Sequence, residues 1–300
     1  MPLNIDAKKN IIKKVITNRD YRDEVLVLID EIFFDYCINF FKQVIYAKID
    51  TLGENSDWYK KVFLNPNLPK EHIAINAGLN MKSITNAYNS SKKEVVIKAS
   101  YDNYNRLQKT IEDLVSNRDN FEIKLSIRFN DVSVDLTVAE SLIVINTIAV
   151  KRSEIRGGMW SAVGKQVEKP LMRTLCMLFN VPFEYHTQED NPESFREVDF
   201  YVLSNDGHKL RTEVKLMGKG NPESADAIFA RQPAIFLADK LSDKNKQQAE
   251  MLGVHWIELR TEGGYKRFQE VLNSLNVPNS DFEGDLNNRL DQILNEIYGE

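Results

Sequence analysis

Two short runs, REVDFYVLS and HKLRTEVKLM, stand on either side of Asn205-Asp206-Gly207. An Asp-Gly pair between strand-like runs is a strong short-range signal for a β-hairpin. A hairpin fixes which side chains share a face, because strand side chains alternate with a period of two. Glu213 and Lys215 therefore project together, with Val214 and Leu216 on the opposite face. Counting back from the turn sets Asp199 opposite the neighbourhood of Glu213. Both runs carry apolar residues on both faces, and charges among them are costly unless paired or metal-bound. The alternative is an ordinary strand pair with its charges in water.

The surrounding pattern predicts a mixed α/β fold. VGKQVEKPLMRTLCMLFN reads as a helix starting near Gly164, with Pro170 in a kink or near its first turn. VPFEYHTQ reads as a strand. After the hairpin come a short helix in NPESADAIFARQ, a buried strand in PAIFLADKL, a helix in DKNKQQAEMLG and a strand in VHWIELR. A β-α-β ending of this kind implies parallel pairing. From residue 264 the tail reads as amphipathic helix, interrupted by a VPNSDFEG turn. Upstream, residues 1–64 read as helix, EVVIKASY as strand and NRLQKTIEDLVSN as helix. FEIKLSIRF and VSVDLTV alternate apolar and polar residues around Asn130-Asp131, a second hairpin pattern. The expected division is a largely helical and β-hairpin region over 1–150 and an α/β domain with a helical tail over 151–300.

Composition narrows the classes. The 300 residues are 42% hydrophobic and 28% charged, which suits a chain that buries a sizeable core. Cys37 and Cys176 both sit in apolar runs, as small core residues of a protein made for a reducing compartment. The sequence shows no secretory signal pattern and no 18-residue uncharged apolar run, so a cytoplasmic location and no membrane partner are expected. The net charge of -5 does not advertise a nucleic-acid binder. The charge is uneven, however: residues 151–173 hold Lys151, Arg152, Arg156, Lys165, Lys169 and Arg173 against Glu154 and Glu168. Local potential is what steers a polyanion.

Two carboxylates and an ammonium on adjacent strands suit a hard divalent cation. Mg²⁺ takes one or two carboxylates and fills the remaining positions with water and phosphate oxygens. Asp199, Glu213 and the carbonyl of Val214 would supply such a set, and Lys215 would stabilise charge building on a phosphorus centre. The trio Asp199, Glu213 and Lys215, in EVDFYV and TEVKLM, resembles the catalytic signature of the PD-(D/E)xK nuclease superfamily, to which most type II restriction endonucleases belong. The likeness covers roughly residues 160–260. Val198 stands before the aspartate where the pattern has proline. The resemblance implies a restriction-endonuclease-like core, a mixed central sheet flanked by helices. It also implies Mg²⁺-dependent hydrolysis of double-stranded DNA at a specific sequence, and a homodimer reading a palindromic site. It places Glu168, on the preceding helix, as a further member of the metal site. The other reading of Glu168 is a surface carboxylate paired with Lys165 or Lys169.

KRSEIRGGMWSAVGKQ, with its three glycines, is expected to be a DNA-contacting loop. Glycine lets backbone approach phosphate, and Arg156, Ser161 and Lys165 can bind phosphate oxygens or base edges; a solvated basic linker is the alternative. Its Gly158…Gly164-Lys165 spacing is one residue too long for a phosphate-binding loop and Gln166 follows the lysine, which excludes a nucleotide cofactor of that type. Lys219 and Asn221, after the Glu213 strand, are further candidates for the scissile strand. The histidines show no metal-ligand spacing; His208 is expected to be exposed in the hairpin turn. FFDYCINFF is a candidate dimer surface, with core as the alternative. Two other functions stay open: a repair or recombination nuclease, and a non-catalytic DNA-binding protein of the same fold.

Overall fold

The computed structural model describes residues 3–51, 57–116, 124–186, 200–216 and 228–299. The chain divides into two compact units, one formed by residues 28–158 and the other by 1–27 together with 159–300. Residues 1–27 lie in the unit that carries Glu213 and Lys215.

The 28–158 unit takes most of helix α2 (Arg22–Asp50), then α3 (Trp58–Phe63), α4 (Lys70–Asn76), α5 (Met81–Tyr88), α6 (Lys93–Ser116), the hairpin β1 (Leu125–Phe129) and β2 (Val132–Leu136), and the start of α7 (Val138–Leu178). Local chemistry sets several starts. Asp57 and Asn80 accept backbone N–H groups at the heads of α3 and α5. At the head of α7, Thr137 Oγ1 accepts the Glu140 N–H while Glu140 Oε2 accepts the Thr137 N–H at 2.8 Å, a reciprocal capping box. The other oxygen of Glu140 takes Lys48 and the Trp58 indole. Burial alone would raise this carboxyl; those donors bring it below its ordinary value. Tyr59 stacks on Tyr104 with ring centroids 5.7 Å apart, inside a core shared with Phe40, Phe63 and Leu136.

EVVIKASY is helix, not strand. Its β-branched run suggested a strand, but Val96, Ala99, Ser100 and Tyr104 are the buried residues of α6, a helical spacing. The β1–β2 hairpin forms as read, with Asn130 at φ 53° in its turn.

The other unit holds α1 (Ile5–Ile16), the rest of α7, a four-stranded sheet and further helices. Asn4 caps α1, which buries Ala7, Ile11, Ile12, Val15 and Ile16. The sheet has the order β3-β4-β5-β6, with β3 (Phe200–Leu203), β4 (Lys209–Lys215), β5 (Ile235–Ala238) and β6 (His255–Glu258). β3 and β4 are antiparallel; β4–β5 and β5–β6 are parallel. Between β5 and β6 runs α8 (Asp243–Met251), capped by Ser242; α9 (Lys266–Ser274) and α10 (Leu286–Tyr298) follow. All four residues of β5 are buried, as a strand flanked on both sides requires.

Three expectations change. VPFEYHTQ is no strand over its described part: Phe183–Tyr185 form a single 3-10 turn after Pro182, and His186 packs on Phe200 with centroids 6.3 Å apart. The helix expected from Gly164 begins at Val138, and Pro170 lies well inside it, neither in nor near the first turn. The glycine-rich segment 151–166 is accordingly helix and not loop. Ile155, Met159, Val163 and Val167 recur at intervals of four and are all buried, so packing overrides the weak propensity of the glycines.

Candidate active site

β4 owes its position to the turn before it. Gly207 at φ 80° closes a loop in which its N–H bonds the Ser204 carbonyl at 2.9 Å, and Ser204 N–H bonds His208 O at 3.1 Å. His208 is exposed there, as expected. The register pairs Phe200 with Thr212 and Leu203 with Lys209. On the other side, Glu213 pairs with Phe236 and Lys215 with Ala238. Glu213 and Lys215 thus share one face of the central strand, as alternation demands, and Val214 is buried on the other.

Glu213 is 0% exposed. Its Oε1 receives Lys215 Nζ at 2.9 Å and, from the helical residues 228–231, Arg231 Nη1. A buried carboxylate is tolerated only when its charge is met, and two cations converge on this one oxygen. Arg211 lies two residues earlier on the same strand; its Nε and Nη2 are buried and have no hydrogen-bond partner among the described residues. Sequence reasoning missed Arg231 because its approach to Glu213 is a tertiary contact with no motif behind it.

A second set of side chains holds the end of β4. The Tyr21 hydroxyl donates to the Leu216 carbonyl at 3.0 Å, and the Asp239 N–H reaches the Lys215 carbonyl at 3.4 Å. Asp239 follows β5 and is fully buried. Burial raises its carboxyl to about 6, against the opposing pull of Arg260, whose Nε stands 3.5 Å from Oδ2. Arg260 Nη1 also reaches Asp20 at 3.2 Å, and its guanidinium lies 5.9 Å from the Tyr21 ring centre. These groups lie at the carboxyl ends of the parallel strands, where open α/β sheets place their ligand sites.

The remaining expected site residues fall in different places. Asp199, Lys219 and Asn221 lie outside the described residues. Glu168 is half-buried on α7, beside Gly164. Arg156, Ser161 and Lys165 are exposed on α7, and Ser161 and Lys165, four residues apart, share one side of the helix. Among the described residues, no three His, Cys, Asp or Glu side chains cluster as metal ligands.

A model of the CfrBI restriction endonuclease family matches residues 6–246. The chain belongs to the CfrBI restriction endonuclease family. The match to this family takes in α1 from its second residue, the whole β3–β4 hairpin, Arg231, β5 and the start of α8. It makes the chain a type II restriction endonuclease-like protein with a mixed α/β fold. No curated protein and no solved structure matches the chain. Among the described residues no helix is long and apolar enough to cross a membrane.

Proposed function

We propose that this chain is a Mg²⁺-dependent, sequence-specific endonuclease of double-stranded DNA, with a PD-(D/E)xK type of site. The observation that carries the reading is the buried Glu213 beside Lys215 on one face of the central strand, in a chain of restriction endonuclease family. Glu213 offers one hard oxygen donor. That fits Mg²⁺, which asks for one or two carboxylates and completes its shell with water and phosphate oxygens. Asp199 would be the second carboxylate. The reading requires the β3–β4 register, which pairs Phe200 with Thr212, to continue by one residue so that Asp199 faces Glu213. The Val214 carbonyl would be a third donor, and Glu168 a further carboxylate from α7. A bound cation would neutralise charge on the phosphoryl oxygens and acidify a water molecule.

The chain's own groups do the rest. Lys215, fixed by its pairing with Glu213, presents an ammonium to the phosphorus centre as negative charge develops there. Burial of Glu213 keeps bulk water from screening that interaction. Arg156, Ser161 and Lys165 on α7 are proposed DNA contacts, with Lys219 and Asn221 beside the cleaved strand; helix side chains, in place of a glycine loop, make the α7 contacts. The chain is proposed to act in the cytoplasm as a homodimer, residues 1–150 contributing recognition. Phe34 and Ile38, one helical turn apart on α2 and both more than half exposed, support a dimer face.

Incubation with phage DNA and Mg²⁺ tests the reading. Discrete fragments are expected. A smear would point to a repair nuclease, and intact DNA to a binding protein.

A further inference from the structure

We infer that Arg231 gates the metal site: it occupies the Glu213 oxygen that a cation needs, and leaves it for a DNA phosphate. This rests on the nuclease reading above and adds a regulation to it. Glu213 Oε1 is shared by Lys215 and Arg231. A Mg²⁺ ion held by that oxygen would sit about 2 Å from it, against a guanidinium already in contact. Two such charges repel strongly in a site with little water. For a metal ion to take Oε1, one of the two cations has to yield.

The structure distinguishes them. Lys215 is a strand residue whose backbone is paired with Ala238 and whose carbonyl is reached by Asp239 N–H. Its side chain is 18% exposed. Arg231 is the last of the helical residues 228–231, and its side chain is 28% exposed. The stretch itself is anchored: Ile228 is buried with Phe236 and Ala238, and Ala234 N–H bonds the Arg211 carbonyl at 2.9 Å. Arg231 can therefore swing its guanidinium without moving its backbone. Its planar fork matches the oxygens of a phosphodiester better than an ammonium does. DNA entering the site supplies the acceptor, Arg231 transfers to it, and Glu213 Oε1 becomes available to the cation. Metal and DNA then favour each other's binding, reciprocally.

Calorimetric titration with Mn²⁺ tests this, with and without an uncleavable phosphorothioate duplex. In the wild type the duplex should tighten Mn²⁺ binding about tenfold or more. Arg231→Gln should bind Mn²⁺ several-fold tighter than wild type without DNA, lose most of the gain from the duplex, and cut more slowly with Mg²⁺. Arg231→Lys should restore part of the coupling. Glu213→Gln should abolish this Mn²⁺ site. If Arg231→Gln leaves Mn²⁺ affinity and the duplex gain unchanged while Glu213→Gln removes the site, the gate is wrong and the nuclease reading stands. If Glu213→Gln leaves Mn²⁺ binding intact, the metal assignment fails and the gate with it.

Discussion

The Tyr21 hydroxyl donates a 3.0 Å hydrogen bond to the carbonyl of Leu216, the residue immediately after Lys215. The two are 195 positions apart in sequence, and Tyr21 is 1% exposed. A segment near the N-terminus thereby holds the end of the strand that presents Glu213 and Lys215. Tyr21→Phe keeps the ring and removes the bond, leaving a buried carbonyl short of one donor. It should lower unfolding stability by about 1 kcal/mol, read as a shift of the urea midpoint. DNA cleavage should fall by more than that loss alone explains, with KM for DNA unchanged. An unaltered turnover would mean that Tyr21 supports the fold only.

The helical state of the glycine-rich segment makes its own prediction. Gly157 and Gly158 have ordinary helical backbone, and a Cβ on either would meet nothing within 4 Å. Replacing each with alanine should raise stability by about 0.5–1 kcal/mol, measured by urea unfolding. A loss of stability would argue for the loop expected from composition. Lys165→Ala should leave stability nearly unchanged, weaken DNA binding and reduce its salt slope by about one contact.

Asp239 gives the fold a pH dependence. Its carboxyl is raised from 3.8 to about 6, chiefly by burial, with Arg260 opposing. The folded state thus favours the protonated acid. The stability this contributes is complete below the ordinary carboxyl value and is lost as pH rises through about 6. The loss should be on the order of 2–3 kcal/mol. Asp239→Asn removes the titration, so its stability relative to wild type should climb between pH 4 and pH 7. Urea midpoints across that range check it, and a flat difference would show that Arg260 fully offsets burial.

The hairpin, β5, α8, β6 and the helical tail were legible because each carries a local signal: an Asp-Gly turn, a short buried apolar run, or a capped amphipathic stretch. Glu213 and Lys215 were legible as same-face neighbours for the same reason, since alternation along one strand needs no tertiary knowledge. EVVIKASY was misread because β-branched residues favour strands intrinsically, and only the packing of Val96, Ala99 and Tyr104 decides for helix. Gly157, Gly158 and Gly164 suggested a loop for a similar reason: the buried Ile155-Met159-Val163-Val167 series outweighs them. Arg231, Asp239, Arg260 and Tyr21 were not legible as a group. Tyr21 and Asp239 meet the end of β4, Arg231 meets Glu213, and Arg260 meets Asp239 and Asp20, all through tertiary contacts that nothing in their spacing records.

The central claim is that Glu213 and Lys215 form the working centre of a DNA-cutting enzyme. Glu213→Ala and Lys215→Ala, each checked for a native circular dichroism spectrum, should be compared with wild type on phage DNA in Mg²⁺. Removing a group that stabilises developing charge typically costs at least 10²-fold in rate, so both variants should leave the DNA intact where wild type yields discrete fragments. Cleavage by Glu213→Ala at the wild-type rate would contradict the account.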